Sequence, residues 1–194
     1  MTLRQKILKV IYPAYTWMKK AGGKRIMFNT LNISPPVSFY SLSVDLINGE
    51  NLRFDKLKGK KVLLVNTASD CVYTPQYAEL QTLYEHSKED LEIIAFPAND
   101  FKEQEKGSDA DIEKFCLHNY AIRFPIAKKS IVINTEKQNP VFNWLTQKEK
   151  NGWNTQQPTW NFSKYLIDED GMLICCFDPA VSPLSEDMIR AVES

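Results

Sequence analysis

The sequence has few of the residues and segments that mark several common protein classes. Its 194 residues include four Cys and two His. Four Cys are too few for a disulfide-stapled scaffold, so the thiols are expected to serve redox chemistry or packing. His86 and His118 do not have the spacing of a metal site, and neither a metal nor another cofactor is predicted. No apolar run reaches the ~20 residues of a membrane span.

Acidic residues are missing from the first 44 positions, which contain seven Lys or Arg. The first acidic residue is Asp45, and residues 45–194 carry 17 basic and 24 acidic residues, a net charge of −7. The formal charge of the whole chain is nevertheless zero. This uneven distribution indicates a basic N-terminal unit attached to an acidic domain. No nucleic-acid partner is predicted.

The basic N-terminal unit has the pattern of an amphipathic helix. Its apolar residues gather on one half of a helix: Leu3, Ile7, Leu8, Val10, Ile11, Ala14, Tyr15, Trp17 and Met18. Pro13 interrupts the pattern on the polar side. We predict a basic helix in 1–28, a linker in 29–37 and a domain in 38–194. Three roles remain open for residues 1–25: contact with an anionic membrane surface or a partner, packing on the chain's own domain, and organelle targeting.

From residue 38 onward, strand and helix patterns alternate. Buried strands are predicted at 60–66 and 91–96, and helices at 75–89, 108–120 and 141–145. Asn48-Gly49 marks a first hairpin, Ser130–Ile133 has the pattern of a short strand, and a turn at residues 169–171 joins the last two strands, 163–168 and 172–177. This order predicts an α/β fold with parallel central strands.

Cys71 stands between the buried strand 60–66 and the helix start at Thr74-Pro75. Ligands of such sheets bind beyond the carboxyl ends of the strands. Free backbone N–H groups and a helix dipole at this place favour a thiolate. We therefore predict a reactive thiol, with a buried Cys acting as a small apolar side chain as the alternative.

Three uncharged N–H donors are expected near this edge of the sheet. Gln104 follows the strand 91–96, and Trp160 and Asn161 precede the strand 163–168. A thiolate that attacks a peroxide needs donors for the sulfur anion and for the departing hydroxide. The alternative for each is an ordinary loop amide or a core residue.

These residues belong to three segments that resemble the signature blocks of the glutathione peroxidases. The segments are Asn66-Thr-Ala-Ser-Asp-Cys-Val-Tyr-Thr-Pro-Gln-Tyr77, Phe96-Pro-Ala-Asn-Asp-Phe-Lys-Glu-Gln-Glu105 and Trp160-Asn-Phe-Ser-Lys-Tyr165. The resemblance runs from about Ser38 to Pro183. It implies a thioredoxin-like fold, with a central mixed sheet flanked by helices and an N-terminal hairpin. It also implies reduction of hydrogen peroxide and of organic or lipid hydroperoxides by a catalytic tetrad: Cys71, Gln104, Trp160 and Asn161.

The resemblance extends to a second cysteine. Family members that use thioredoxin carry a resolving Cys on the helix before a Phe-Pro pair, and here Cys116 precedes Phe124-Pro125. Cys116 is thus implied to resolve a sulfenic acid on Cys71, with thioredoxin or glutathione as reductant. Its helix must then partly unwind, since a disulfide needs Cα atoms within ~7 Å. A buried helix residue is the alternative. The short segment 148–158 implies a monomer, and we expect a cytoplasmic protein.

The chain departs from the family pattern at two positions beside Cys71. Val72 replaces a Gly and does not readily adopt positive φ, and Asp70 is expected to oppose a thiolate. Cys175 and Cys176 follow each other on a predicted strand, so we expect them on opposite faces as small strand residues. A peroxide sensor or redox relay with the same residues remains the alternative function.

Overall fold

The computed structural model describes residues 2–20 and 26–194, with side chains from Thr2 to Tyr15 and from Ile26 onward. Trp17 and Met18, predicted on the apolar half of the first helix, lie outside the described side chains. The helices and strands follow in this order: α1 (Leu3–Lys20), β1 (Ile26–Phe28), β2 (Ser43–Asp45), β3 (Asn51–Arg53), β4 (Lys61–Thr67), α2 (Gln76–Ser87), β5 (Leu91–Pro97), α3 (Asp109–Tyr120), α4 (Pro140–Leu145), α5 (Lys148–Asn151), β6 (Lys164–Ile167), β7 (Leu173–Phe177) and α6 (Glu186–Glu193).

The central sheet has five strands in the order β1-β7-β6-β4-β5. Strands β4 and β5 are parallel, whereas the other neighbouring strands are antiparallel. A separate hairpin, β2–β3, turns at Asn48-Gly49 as predicted, with Gly49 at φ 90°. The predicted thioredoxin-like α/β fold with a mixed central sheet is confirmed.

Both faces of the sheet are covered, so every residue of β4 is buried. Because side chains alternate along a strand, Leu63 and Val65 belong to one apolar cluster and Val62 and Leu64 to the other. The first cluster also contains Cys71 and residues of α1, α2, α3 and α6; the second contains residues of α4 and the β2–β3 hairpin. Cys71 and Cys116 thus lie on the same face of the sheet.

Cys175 and Cys176 lie on opposite faces, as their succession on a strand predicts. Cys175 belongs to the first cluster and Cys176 to the second, and both thiols are free. Burial raises the pKa of both thiols, that of Cys175 to about 12. Both are therefore protonated, apolar strand residues at neutral pH.

Ser108 and Asp111 have the spacing that predicts a capping box at the start of α3, and the structure confirms it. The Asp111 N–H donates to Ser108 Oγ at 3.3 Å, and the Ser108 N–H donates to Asp111 Oδ2 at 3.0 Å. The strand predicted at Ser130–Ile133 is wrong, because the segment forms only an isolated bridge between Ile131 and Gln138. Val132, within this segment, donates its N–H to the Asp100 carboxylate at 2.7 Å. A loop side chain therefore accepts the hydrogen bond that a neighbouring strand would accept in a sheet.

The N-terminal helix is shorter than the predicted segment 1–28. Helix α1 ends at Lys20, and Ile26–Phe28 forms the edge strand β1 against β7. The predicted linker 29–37 is held to the domain: the Asn29 amide donates to Leu173 O at 3.3 Å, and Trp144 Nε1 donates to Val37 O at 2.7 Å. Residues 26–28 satisfy their backbone groups by pairing with β7 at the edge of the sheet.

Helix α1 packs on the chain's own domain, one of the three roles that the sequence left open. Tyr12 is only 7% exposed, and its ring meets that of Tyr73 edge to face at 6.5 Å between centroids. The Tyr15 ring meets Tyr73 in the same way at 5.4 Å. Within residues 2–20 and 26–194, no helix combines the length and the apolar character of a membrane span.

Candidate functional site

Cys71 lies in a tight loop between the end of β4 and the start of α2. Thr74 fixes this loop, because its Oγ1 accepts from the Cys71 N–H at 2.9 Å and donates to Ala68 O at 2.8 Å. The Tyr73 N–H reaches the Cys71 Sγ at 3.4 Å, which provides the predicted backbone donor. Val72 is not among the described residues with positive φ, so the loop accommodates it without the backbone conformation that disfavours side chains.

Two of the three predicted side-chain donors, Trp160 and Asn161, lie beside this sulfur. Their N–H groups lower the pKa of the Cys71 thiol, and Asn161 is completely buried. Asn161 Nδ2 also donates to Gln104 Oε1 at 3.0 Å. Gln104 therefore acts here as an acceptor that orients Asn161, whereas the sequence predicted a donor. The roles of these residues in catalysis stay predictions.

Asn66, at the end of β4, holds the Trp160–Ser163 turn beside Cys71. Its Nδ2 donates to Trp160 O at 3.1 Å, and its Oδ1 accepts from the Ser163 N–H at 3.1 Å. Its carbonyl accepts from the N–H of Phe162, which has φ 70°. Sequence reasoning gave Asn66 no role, although a polar residue at the end of an apolar strand was the available signal. The side chain connects the loop that carries the thiol to the turn that carries its donors.

The Trp160 ring lies at the edge of the site. Its neighbours are the Phe101 ring, at 5.5 Å between centroids, and the Lys102 ammonium, 5.7 Å from the Trp160 ring centre. An ammonium over an indole face is a favourable cation–π contact. Both partners belong to the loop that follows β5. This loop therefore orients Trp160 as well as carrying Gln104.

The prediction that Cys71 is a thiolate is wrong for this structure. Burial raises the pKa of the Cys71 thiol to about 11, although the hydrogen bonds from Tyr73, Trp160 and Asn161 lower it. The nearby Asp70 charge raises it further, in the direction that the sequence predicted. The thiol is completely buried, and desolvation of the anion outweighs the donors. The resting thiol therefore keeps its proton at neutral pH.

Glu105 is a buried carboxyl that sequence reasoning passed over. Its Oε2 accepts from both the N–H and the Oγ of Ser69, at 2.8 and 2.9 Å. Burial raises the pKa of Glu105 to about 7. The Asp70 N–H also donates to Gln104 O at 3.1 Å. Glu105 and Gln104 thus connect the Cys71 loop to the loop after β5. The sequence signal for Glu105 was an acidic residue directly after the predicted site residue Gln104.

Cys116 lies on α3, buried in the same apolar cluster as Cys71. Burial raises the pKa of the Cys116 thiol to about 12 and outweighs the nearby Tyr77 hydroxyl, which lowers it. The Tyr77 ring also contacts Phe162, at 5.3 Å between centroids, directly beside Asn161. Both thiols are free. Tyr77 therefore links the surroundings of Cys116 to those of the Cys71 donors.

The end of α3 is locally strained. Its C-cap residue, Ala121, has the left-handed conformation at φ 51°, which costs a non-glycine residue about 1 kcal/mol. This strain reduces the free energy needed to unwind the last turn. Within the described part of the chain, no group of three or more His, Cys, Asp or Glu side chains is placed to hold a metal ion.

Removing one of the donors is expected to slow the reaction of the thiol with peroxide. Asn161→Ala should lower the second-order rate constant with hydrogen peroxide by roughly 10²–10³, as the loss of a preorganised oxyanion donor does. Gln104→Ala should act in the same direction because it releases Asn161. The rate constant is measured on reduced protein by rapid mixing.

Thr159→Ala is the matched control, since Thr159 is exposed and adjoins Trp160. It should react at the parental rate. Unchanged rates in folded Asn161→Ala and Gln104→Ala would contradict the assignment of these residues.

Comparisons with known proteins agree with this geometry. The family model named glutathione peroxidase matches residues 39–146. The chain is 36% identical over 160 residues to the glutathione peroxidase homolog BsaA of Bacillus subtilis, covering 81% of this chain and 99% of that one. It is 42% identical over 151 residues to the glutathione peroxidase-like peroxiredoxin 2 of Saccharomyces cerevisiae, covering 77% and 93%.

Solved structures give the same result. The apo form of Trgpx superposes with a TM-score of 0.61 at 29% identity, covering 81% of this chain and 97% of that one. A DsbF homologue from Corynebacterium diphtheriae superposes with a TM-score of 0.62 at 13% identity, covering 89% and 94%. The second likeness concerns the fold alone.

Proposed function

This chain belongs to the glutathione peroxidase family and is a thiol peroxidase, and we propose that Cys71 is the thiol that reduces the peroxide. The observation that carries the proposal is the convergence of Trp160, Asn161 and the Tyr73 N–H on the Cys71 sulfur. Donors without charge stabilise a sulfur anion and a departing oxygen anion without pairing permanently with either.

In the proposed reaction, the Cys71 sulfur attacks the outer oxygen of R–OOH. The O–O bond breaks, Cys71 becomes a sulfenic acid, and the thiol proton leaves with the other oxygen as R–OH. The buried thiol is protonated at rest, so the donors act when the peroxide arrives and charge develops on the sulfur. Substrates are hydrogen peroxide and organic or lipid hydroperoxides.

Regeneration is proposed to use Cys116. Its thiol attacks the sulfenic sulfur, which forms the Cys71–Cys116 disulfide and releases water. Thioredoxin then reduces this disulfide by thiol exchange, with glutathione as the other candidate reductant. The peroxiredoxin-like names of several relatives support a thiol reductant. The strained turn at the end of α3 supports the unwinding that this step requires.

The state and location of the protein are also proposals. The segment 148–158 is short and is tied to the domain through Asn151, whose Nδ2 donates to Trp144 O at 2.9 Å. We propose a cytoplasmic monomer that works at a membrane surface through residues 1–25.

Steady-state peroxide consumption tests the proposed function. With thioredoxin and its reductase, we expect sustained turnover at least tenfold faster than with an equal concentration of glutathione, because a dithiol reduces a protein disulfide without a second thiol molecule. Equal turnover with both reductants would contradict the choice of thioredoxin. Consumption that stops at one equivalent with either reductant would support the sensor or relay.

A further inference from the structure

We propose that the outward face of α1 is a docking surface for an anionic membrane. Four apolar side chains form this outward stripe, and their exposed fractions are 76% for Leu3, 52% for Ile7, 78% for Val10 and 44% for Ile11. Spacings of three and four residues place them on one side of the helix. A helix of this kind lies in the plane of a membrane interface with its apolar side in the lipid.

The outward stripe is distinct from the face that packs on the domain. The packed face carries Tyr12 and Tyr15 against Tyr73, and Gln5 Nε2 donates to Ser69 O at 3.1 Å. The apolar half predicted for the helix is therefore divided: Tyr15 packs on Tyr73, whereas Leu3, Ile7, Val10 and Ile11 are exposed. The outward stripe remains available after α1 has docked on its own domain.

Charge selects a membrane over a second copy of this chain as the occupant. The described side chains of α1 include three cations and no acid, and the first acid of the chain is Asp45. Arg4 pairs with Asp70, whereas Lys6 and Lys9 form no ion pair within the described residues. Anionic head groups complement these cations. Two copies meeting through the outward stripe would instead bring like charges together, which opposes association.

Docking through the outward stripe would bring the membrane close to the catalytic loop. Arg4 Nη1 pairs with Asp70 Oδ2 at 2.9 Å, and Gln5 bonds Ser69, so α1 contacts residues one and two positions before Cys71. Helix α1 is thus a direct bridge between a bilayer surface and that loop. Resting on the proposed peroxidase function, this placement makes hydroperoxides of membrane lipids the favoured substrate class.

Vesicle sedimentation of the full chain tests the docking. Phosphatidylcholine vesicles with added phosphatidylserine should carry the protein down at low salt, whereas vesicles of phosphatidylcholine alone, or the mixed vesicles at high salt, should carry much less. The double variant Leu3→Ser/Val10→Ser should partition at least tenfold less. Leu184→Ser is the matched control, since Leu184 is an exposed apolar residue outside α1 and should leave partitioning within twofold of the parent.

Three results would overturn the docking: no sedimentation of the parent with anionic vesicles, parental partitioning of the double variant, or equal binding to both vesicle types. Parental self-association in analytical ultracentrifugation that the double variant lacks would assign the stripe to a second copy instead. Circular dichroism verifies the fold of each variant.

Peroxide assays separate this proposal from the proposed function. The double variant should turn over hydrogen peroxide at the parental rate but lose at least fivefold with a phospholipid hydroperoxide held in anionic vesicles. If the double variant reduced both peroxides at the parental rates, the link to lipid hydroperoxides would be refuted. A parent that binds vesicles but reduces neither peroxide would refute the proposed function and leave the docking intact.

Discussion

Cys71→Ser is expected to abolish peroxide reduction. A serine hydroxyl fits the same loop and accepts hydrogen bonds from the same donors, so the fold should be retained. An alcohol is a far weaker nucleophile than sulfur, and it has no counterpart of the sulfenic acid step. Peroxide consumption by reduced protein should fall by on the order of 10³ or more, the size of losses seen when a nucleophile is removed.

Cys175→Ala is the control for Cys71→Ser. Cys175 is buried in the same apolar cluster as Cys71, but only burial is responsible for its raised pKa, and no donor offsets it. Its variant should keep the parental rate, at a cost in stability typical of a small core truncation. Peroxide reduction by Cys71→Ser at the parental rate, or an equal loss in folded Cys175→Ala, would show that the wrong thiol has been assigned.

Cys116→Ser is expected to permit one oxidation per molecule and then to stall with thioredoxin. The first reaction uses Cys71 and its donors, none of which the substitution removes. The sulfenic acid then lacks its intramolecular partner, so the disulfide that thioredoxin reduces does not form. A burst of one equivalent of peroxide followed by near-zero turnover should be seen, with the sulfenic acid trapped by a dione reagent.

The parent and Cys175→Ala provide the comparison for this stall, and both should turn over repeatedly with thioredoxin. Undiminished multiple turnover in Cys116→Ser would remove its resolving role and leave Cys116 as a buried residue of α3. Persistent turnover of Cys116→Ser with glutathione alone would fit direct reduction of the sulfenic acid by a small thiol.

The sequence by itself determined which segments carry the chemistry. The apolar run 60–66, the loop with Cys71 and the helix start near Pro75 have local signals, since burial pattern, turn residues and helix starts depend on neighbouring positions. The same holds for the capping box of α3 and the Asn48-Gly49 turn. The carboxyl-end rule for sheets then predicted that Gln104, Trp160 and Asn161 would meet Cys71. The structure places Trp160 and Asn161 beside the sulfur, and Gln104 contacts Asn161.

Only the tertiary structure decided the state of the thiol and the place of α1. The pKa of Cys71 depends on how completely distant segments exclude water, and that burial outweighs the local donors. The roles of Asn66 and Glu105 depend in the same way on contacts with residues far along the chain. The apolar side chains of α1 repeat with a single helical period, but the described ones lie in two environments: Tyr15 contacts the domain, whereas others are exposed to solvent. The sequence pattern shows which side chains of the helix are apolar. Whether such a side chain contacts Tyr73 or solvent depends on the position of the other segments in the folded chain.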